Sequence, residues 1–533
     1  MVGATYEVHI DFGRDNTFAH ALANVTARTT EVEWALGCQN PFDEFAQPAR
    51  ATVTLSNIDR KLTPDNTTSD FYGLFVKGVY VRIRHTYNGT SASWYGKLSK
   101  MRVGTGLMAN PGGATVTLTF EDEMLKLLKA EYFPELQTNV TTGAVIEDAL
   151  GSAIVATPYE GTYWVLDASA LGTQTKLYDP SQIVGSIDTG YTTLAYVGDN
   201  SDRGRGVSLQ SFLRDVVIAE LGGRFFYNAY TRKFDFHSRY HDVSEYTTNG
   251  TSATLASADI DKADLRYGDE VANDITVNYT PRMVGAGGTT LAQIEKTIRL
   301  ESGQEKTITL RYRDTDVNTE ARIAGYDFYT TQSGVDYIAN AQADGLGASL
   351  TAFLAVTVNA KAQAAEFRLT NTGTSTLYVI TLQIRGTPLY SYTQQTVRYV
   401  DADSIQRNGV HKDTISLRIV DSEELAQDYA RLTCNRFKDP ISRLHSVTFV
   451  ANDSATLMGY ARDIRVGDAI QINDTVETKK NEIYTVVGIQ HTYGQESGIH
   501  RTTWTIKPLA RERYWLLGVT GFSELDSTTA LAL

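Results

Sequence analysis

The chain has 533 residues and a mass of 58.8 kDa, with 49 basic against 62 acidic side chains and a net charge of −13. That balance excludes an obligate nucleic-acid coat or a basic membrane-surface protein, since both need clustered Lys and Arg. With 42% hydrophobic and 10% aromatic residues the chain can build sizeable cores, and its two cysteines, Cys38 and Cys434, cannot form a disulfide framework.

Length predicts about three or four domains. The opening Met1-Val2-Gly3-Ala4-Thr5-Tyr6-Glu7 has no basic or apolar region, so no leader is expected. No run of 18 apolar residues occurs, so no membrane-spanning helix is expected either.

Strand patterns dominate from the start. Ala51–Leu55 alternates with period two, as do Val79–Arg84 and Thr115–Phe120. Asn88-Gly89 is a hairpin signal between Val79–Arg84 and Ser93–Leu98. Helices are expected over Glu121–Ala130, Thr142–Leu150, Ser208–Leu221 and Asp421–Phe437. The third carries Leu209, Phe212, Leu213, Val216, Val217 and Leu221 at helical spacing and stops at Gly222-Gly223. Arg224–Asn228 and Arg232–Phe236 read as a hairpin under that helix. Residues 241–262 are polar and rich in Thr and Ser, which predicts a boundary. Residues 283–395 read as an insert, in which Ala365–Leu369 and Leu377–Arg385 flank an Asn371-Thr372-Gly373 turn and suit a β-sandwich.

The resulting organisation is mainly β with a few helices. A first small β-barrel is expected over 1–120, an α+β domain over 121–262, a second barrel over 263–282 plus 396–510, the sandwich insert over 283–395, and a C-terminal tail over 511–533. The two barrels are suggested by an internal echo. Gly78-Val79-Tyr80-Val81-Arg82-Ile83 is followed by Tyr95, and Gly467-Asp468-Ala469-Ile470-Gln471-Ile472 by Tyr484, at the same spacing. A strand precedes each glycine, Val53–Leu55 in one case and Val447–Phe449 in the other, and a third strand follows each tyrosine. Any two antiparallel meanders look alike; the sharper reading is two copies of one barrel.

Chemistry is scarce. His491, Glu496 and His500 come nearest to a metal set, but they flank a hairpin loop, and zinc needs three convergent ligands with a supporting shell. His237 and His241 bracket a strand end and read as exposed loop residues. Neither a Gly-x-Ser-x-Gly elbow nor a Walker loop is present, and Gly204-Arg205-Gly206 reads as a flexible loop. Cys38 has no local base, Cys434 reads as helix packing, and Glu121-Asp122-Glu123 and Glu423-Glu424 read as helix N-termini. No catalytic, cofactor-binding or metal residue is therefore assigned, and no cofactor is expected.

Several segments together resemble the tail-tip or baseplate hub proteins of long-tailed bacteriophages. They are Arg50–Pro64, then Gly78–Ile83 with Trp94-Tyr95-Gly96; the helix, glycine turn and aromatic hairpin of Leu221–Phe236; and Val466–Ile472 with Tyr484–His491 and Trp504–Pro508. Leu369-Thr370-Asn371 and Leu382–Leu389 are similar to a sandwich insertion of tail proteins. The resemblance implies a non-enzymatic virion protein made in the bacterial host cytoplasm. It implies a homotrimer with two tube-like barrels per subunit, six in a ring, mating with the tail tube or distal tail protein. Implied partners are the tape measure protein and a tail fibre or receptor-binding protein, with DNA only in transit and the host envelope met indirectly. No peptidase or lysozyme segment is appended, which argues against wall degradation. A carbohydrate- or receptor-binding surface protein and a polysaccharide-degrading virion enzyme are the alternatives.

Overall fold

The computed structural model describes residues 3–509 apart from 105–113, 133, 153–154, 157–162, 165–182, 200–206, 269 and 314–322. Gly204-Arg205-Gly206 and the tail from residue 511 lie outside the described residues. The fold is mainly β, with several sheets and short helices.

Among the described residues the largest sheet has twelve strands. Six come from the N-terminal part: β1 (Thr5–Ile10), β2 (Thr29–Gly37), β3 (Arg50–Ser56), β4 (Tyr80–Tyr87), β5 (Thr90–Gly104) and β6 (Thr115–Glu121). The other six are β7 (Ala253–Ala256), β8 (Lys262–Tyr267), β9 (Ser442–Val450), β10 (Ala469–Asp474), β11 (Lys480–Gly494) and β12 (Ile499–Pro508). The first unit is ordered β1-β4-β5-β6-β3-β2, and the second β7-β10-β11-β12-β9-β8. Each strand of the second unit thus takes the place held six numbers earlier in the first.

The registers repeat as well as the order. Gly78 N donates to Leu98 O at 2.9 Å and Leu98 N to Val79 O at 2.9 Å, so two residues face one. Gly467 N donates to Val486 O at 2.8 Å and Val486 N to Asp468 O at 2.9 Å, the same bulge. Both glycines have left-handed φ, 97° and 105°, which this bulge requires and a Cβ would oppose. A second bulge follows in each copy. Leu98 pairs with Phe120 and Lys100 with Thr119; Val486 pairs with Ile506 and Gly488 with Thr505. Further across, Val53 pairs with Leu118 and Val32, while Val447 pairs with Trp504 and Ala263. The outer strands differ: β1 runs antiparallel to β4 but β7 parallel to β10, and β9 carries an extra residue opposite β8 after Asp264 that β3 lacks opposite β2.

This register corrects the tyrosine spacing in the echo. Tyr484 pairs with Ile470, and its counterpart opposite Val81 is Gly96, not Tyr95. The reason is packing. A Cβ at Gly96 would lie 2.3 Å from the Trp94 ring, so in the first unit that indole fills the space the buried Tyr484 ring occupies in the second. Tyr95 points to the other face and is half exposed.

The hairpin between β4 and β5 turns at Asn88 and Gly89, with φ 49° and 76°, as its two-residue loop demands. The helices expected from the sequence are α1 (Met124–Lys129), α2 (Thr142–Ser152), α3 (Leu209–Ala219) and α6 (Glu423–Phe437); the structure adds α4 (His241–Asn249), α5 (Ala402–Asn408) and α7 (Ala455–Asp463). Residues 241–262, expected as a polar boundary, thus form α4 and β7. The buried face of α3 joins both units of the large sheet in one core, which the strands Arg224–Asn228 and Lys233–His237 line with Phe225, Phe226, Phe234 and Phe236. A second core, including Leu291, Phe367, Leu369, Val379 and Ile384, lies within residues 283–395. Its strands Ala364–Asn371 and Leu377–Ser391 belong to different sheets, and the buried Asn371 side chain ties their connection by donating to Leu300 O, Glu301 O and Ser375 O.

Candidate assembly interface

The two units meet where β2 of the first pairs antiparallel with the second half of β11, from Glu31 opposite Gly494 to Gly37 opposite Gly488. Strand β11 is long enough to serve both partners: residues 480–485 pair with β10, and 488–494 with β2. Hydrophobic alternation explains which face is buried. Val32, Trp34 and Leu36 turn inward with Ile489 and His491, leaving Glu33 and Gln490 hydrogen-bonded outside. The strands then cross at two glycines. Cys38 N donates to Val487 O at 2.8 Å, and a Cβ at Gly488 would lie 1.9 Å from Cys38 O.

Behind the joint lies an aromatic and histidine cluster. Trp34 stacks on His491 at 4.7 Å, and His85, from β4, lies 5.6 Å from His491 and 5.7 Å from His500. His491 Nδ1 is 3.1 Å from His500 Nε2 and 3.0 Å from Thr502 Oγ1; Tyr230 OH lies 3.3 Å from His491 Nε2, and Tyr6 OH 2.9 Å from His500 Nδ1. Tyr6 also stacks on Tyr493 at 3.6 Å. Burial lowers all three histidines, His500 to about 3, His85 to about 4 and His491 well below its ordinary value, with neighbouring positive groups adding to the effect. At neutral pH the cluster is uncharged and serves as ring packing.

The structure therefore brings His491 and His500 together but leaves Glu496 exposed in the turn beyond them. Among the described residues no group of three His, Cys, Asp or Glu is arranged to hold a metal ion. His237 and His241 correct the expectation of exposed loop residues. His237 is buried, His241 half buried, and their rings stack at 3.5 Å. Burial, then His241, lowers His237 to about 3; His241 is raised, because the 2.9 Å hydrogen bond and charge of Asp188 outweigh its own burial.

Burial pushes the Cys38 thiol up to about 12 and raises Cys434, so neither is a poised nucleophile. Glu123 is held at about 2: burial alone would raise it, but Lys126 and Lys97 beside it prevail. Glu423 and Glu424 stand in the first turn of α6, where Ser422 Oγ accepts from Leu425 N. These acids do structural work at helix ends.

Sequence reasoning missed β8. The strand begins at the boundary drawn between 262 and 263, and its signal was the alternation of Ala263, Leu265 and Tyr267 ending at Gly268. Strand β8 holds in the second unit the place of β2 in the first, and among the described residues it ends the sheet. Leu265 is 41% and Tyr267 71% exposed, whereas their counterparts Trp34 and Leu36 are 0% and 3%. The counterpart of the half of β11 that receives β2 is the end of β5 after Leu98, where Met101 and Val103 are partly buried.

No family model matches the chain, and no curated protein matches it significantly. Among solved structures, it is similar to a tail protein from Neisseria meningitidis MC58, at 9% identity and a TM-score of 0.46, covering 95% of this chain and 97% of that one. It is also similar to the 43 kDa tail protein of prophage MuSo2 from Shewanella oneidensis, at 8% identity and TM-score 0.46, covering 95% and 99%. A component of the type VI secretion system of E. coli overlaps at 9% identity and TM-score 0.36, covering 90% and 73%. These overlaps are too loose to carry a functional argument, which rests on the repeat within the chain.

Proposed function

We propose that this chain is a structural hub at the distal end of a bacteriophage tail. Three copies close into a ring, each contributing its two six-stranded units, so that six similar units surround the axis. Such a ring joins a six-fold tail tube or distal tail protein to a three-fold tip, anchors the tape measure protein, and serves as a conduit that opens for DNA ejection. The role is mechanical, without catalysis. The observation that carries this reading is the repeated strand order with repeated bulges in the two units. A subunit with two equivalent units reconciles three-fold and six-fold partners within closed symmetry. Net charge of −13 suits a passage that must not retain phosphates.

Light scattering and negative-stain imaging of the purified protein test the proposal. The expected result is a particle of three times the 58.8 kDa chain mass, seen end-on as a ring. A stable monomer or plain dimer at all concentrations overturns it.

A further inference from the structure

We propose that successive subunits are joined by strand β8 of one pairing antiparallel with residues 99–104 of β5 of the next, in the register already used where β2 meets β11. The strand pairing rests on the internal repeat, and only its closure at three subunits rests on the ring reading above.

The register follows from equivalences already established. Lys100 and Gly488 share a place, as do Met101 and Ile489, because Met101 pairs with Leu118 where Ile489 pairs with Trp504. Counting on, Val103 matches His491. On the other strand, Ala263 matches Val32, so Leu265 matches Trp34 and Tyr267 matches Leu36. The register shift after Asp264 adds a residue to β9 and leaves the count along β8 intact. Gly268 then falls on Gly37, and the two share a left-handed φ, 74° and 76°.

Within the chain Trp34 faces His491 and Leu36 faces Ile489. Carried across, Leu265 faces Val103 and Tyr267 faces Met101. Both pairs are apolar, both bring an exposed side chain of β8 onto a partly buried one of β5, and such pairs stabilise a sheet. On the opposite face, the hydrogen bond between Glu33 and Gln490 becomes a diagonal pairing of Asp264 with Arg102, opposite in charge. Backbone direction agrees. Cys38 N points at Val487 O, so by alternation Leu36 and Trp34 turn their peptide groups toward β11. Tyr267 and Leu265 therefore turn theirs away from β9, toward the proposed seam. The seam is shorter than the internal joint, because Lys100 stands where Gly488 lets the chains cross. A head-to-tail contact of this kind closes into a ring when its rotation allows.

A cysteine pair tests the register. In a Leu265→Cys/Val103→Cys protein, a short thiol cross-linker should give covalent dimers and trimers on a denaturing gel. Val103→Cys with Asp264→Cys, whose side chain lies on the other face, should give at least tenfold less. Tyr267→Asp removes the apolar pair but keeps the peptide donor aimed at the seam, and Tyr267→Pro removes both; each should raise the concentration needed for assembly at least tenfold, with the far-ultraviolet circular dichroism unchanged. If the protein forms its ring but the matched cysteines do not link and both Tyr267 variants assemble normally, the seam is wrong while the ring reading stands. If the unmodified chain remains monomeric and nothing links, both fall.

Discussion

His491 Nδ1 and His500 Nε2 lie 3.1 Å apart in the buried joint, so one ring must donate to the other and the facing nitrogens cannot both carry protons. With His85 beside them, the joint holds three imidazoles that fold only as neutral rings. Burial is the main cause, and it sets the sign of the acid response. The unfolded chain binds protons near pH 6.5, whereas folded His85 and His500 resist until about 4 and about 3. Stability is thus fully present above pH 6.5 and is lost as pH falls toward 4. At about 1.4 kcal/mol per pKa unit, the loss is on the order of several kcal/mol. Thermal melts from pH 7.5 to 4 should show the midpoint falling steeply below pH 6.5. In His85→Phe, whose ring nitrogens lack hydrogen-bond partners in the fold, the decline should be shallower. An unchanged pH profile in that variant contradicts the assignment.

Gly488→Ala should be far more damaging than a typical glycine substitution. Its Cβ would lie 1.9 Å from the Cys38 carbonyl oxygen, a backbone atom held by the crossing strands. The cost is expected to be roughly 3 kcal/mol or more, at the upper end for point substitutions. Gly459, inside α7 with open space at its Cβ position, is the control. There alanine should stabilise by about 0.5–1 kcal/mol. Denaturant titrations of the two variants give opposite signs if this account is right.

Asp199→Ala should loosen the attachment of residues 283–395. Asp199 accepts from Arg282 Nε at 2.5 Å and Nη2 at 2.9 Å, with both side chains buried, and from Ser391 Oγ at 3.2 Å. Removing the carboxylate strands a buried guanidinium, which typically costs about 3–5 kcal/mol. Limited proteolysis near residues 282 and 391 should become faster, while the segment's own core, built on Phe367 and Leu369, keeps it resistant within. Equal cleavage in both proteins argues against the role.

Cys38 should be silent toward thiol reagents in the folded protein. Burial pushes its thiol up to about 12 and excludes reagent as well. Timed labelling with a coloured disulfide reagent should give no fast reaction before denaturant is added.

Much of this fold was legible because strands and helices write their burial into local periodicity. The alternation of Val79–Arg84 and the helical stripe from Leu209 to Val217 each depend on which side faces the core. The duplication was visible through Gly78 and Gly467, since only glycine suits the bulge they form. The tyrosine match was not reliable, because facing side chains exchange volume across a pair: Trp94 over Gly96 does the work of Tyr484. The histidine cluster was hidden for another reason. His85 and His491, 406 positions apart in the sequence, are brought together by the pairing of the two units, and no local pattern records that. Strand β8 was missed because its Leu265 and Tyr267 are exposed in the single chain, and so lack the buried-face pattern that marked the other strands.

The joint between β2 and β11 also sets the order in which the protein can be made. Strand β2 leaves the ribosome with the first 37 residues, but its partner is not complete until Gly494. The strands β1–β6 span residues 5–121 and can pair with one another while synthesis continues. The second unit must wait, because β8 and β9 are separated by the long excursion from residue 268 to 441. At about 5–20 residues per second, the outer edge of β2, with Trp34 and Leu36, stays uncovered for roughly half a minute or more. Closing a loop of that length is slow and leaves a strand edge open to wrong partners. The last seam to form within the chain is therefore the one whose failure would send nascent chains to aggregate, and the yield of correctly folded protein should rise when elongation of residues 268–494 outpaces encounters between unfinished chains.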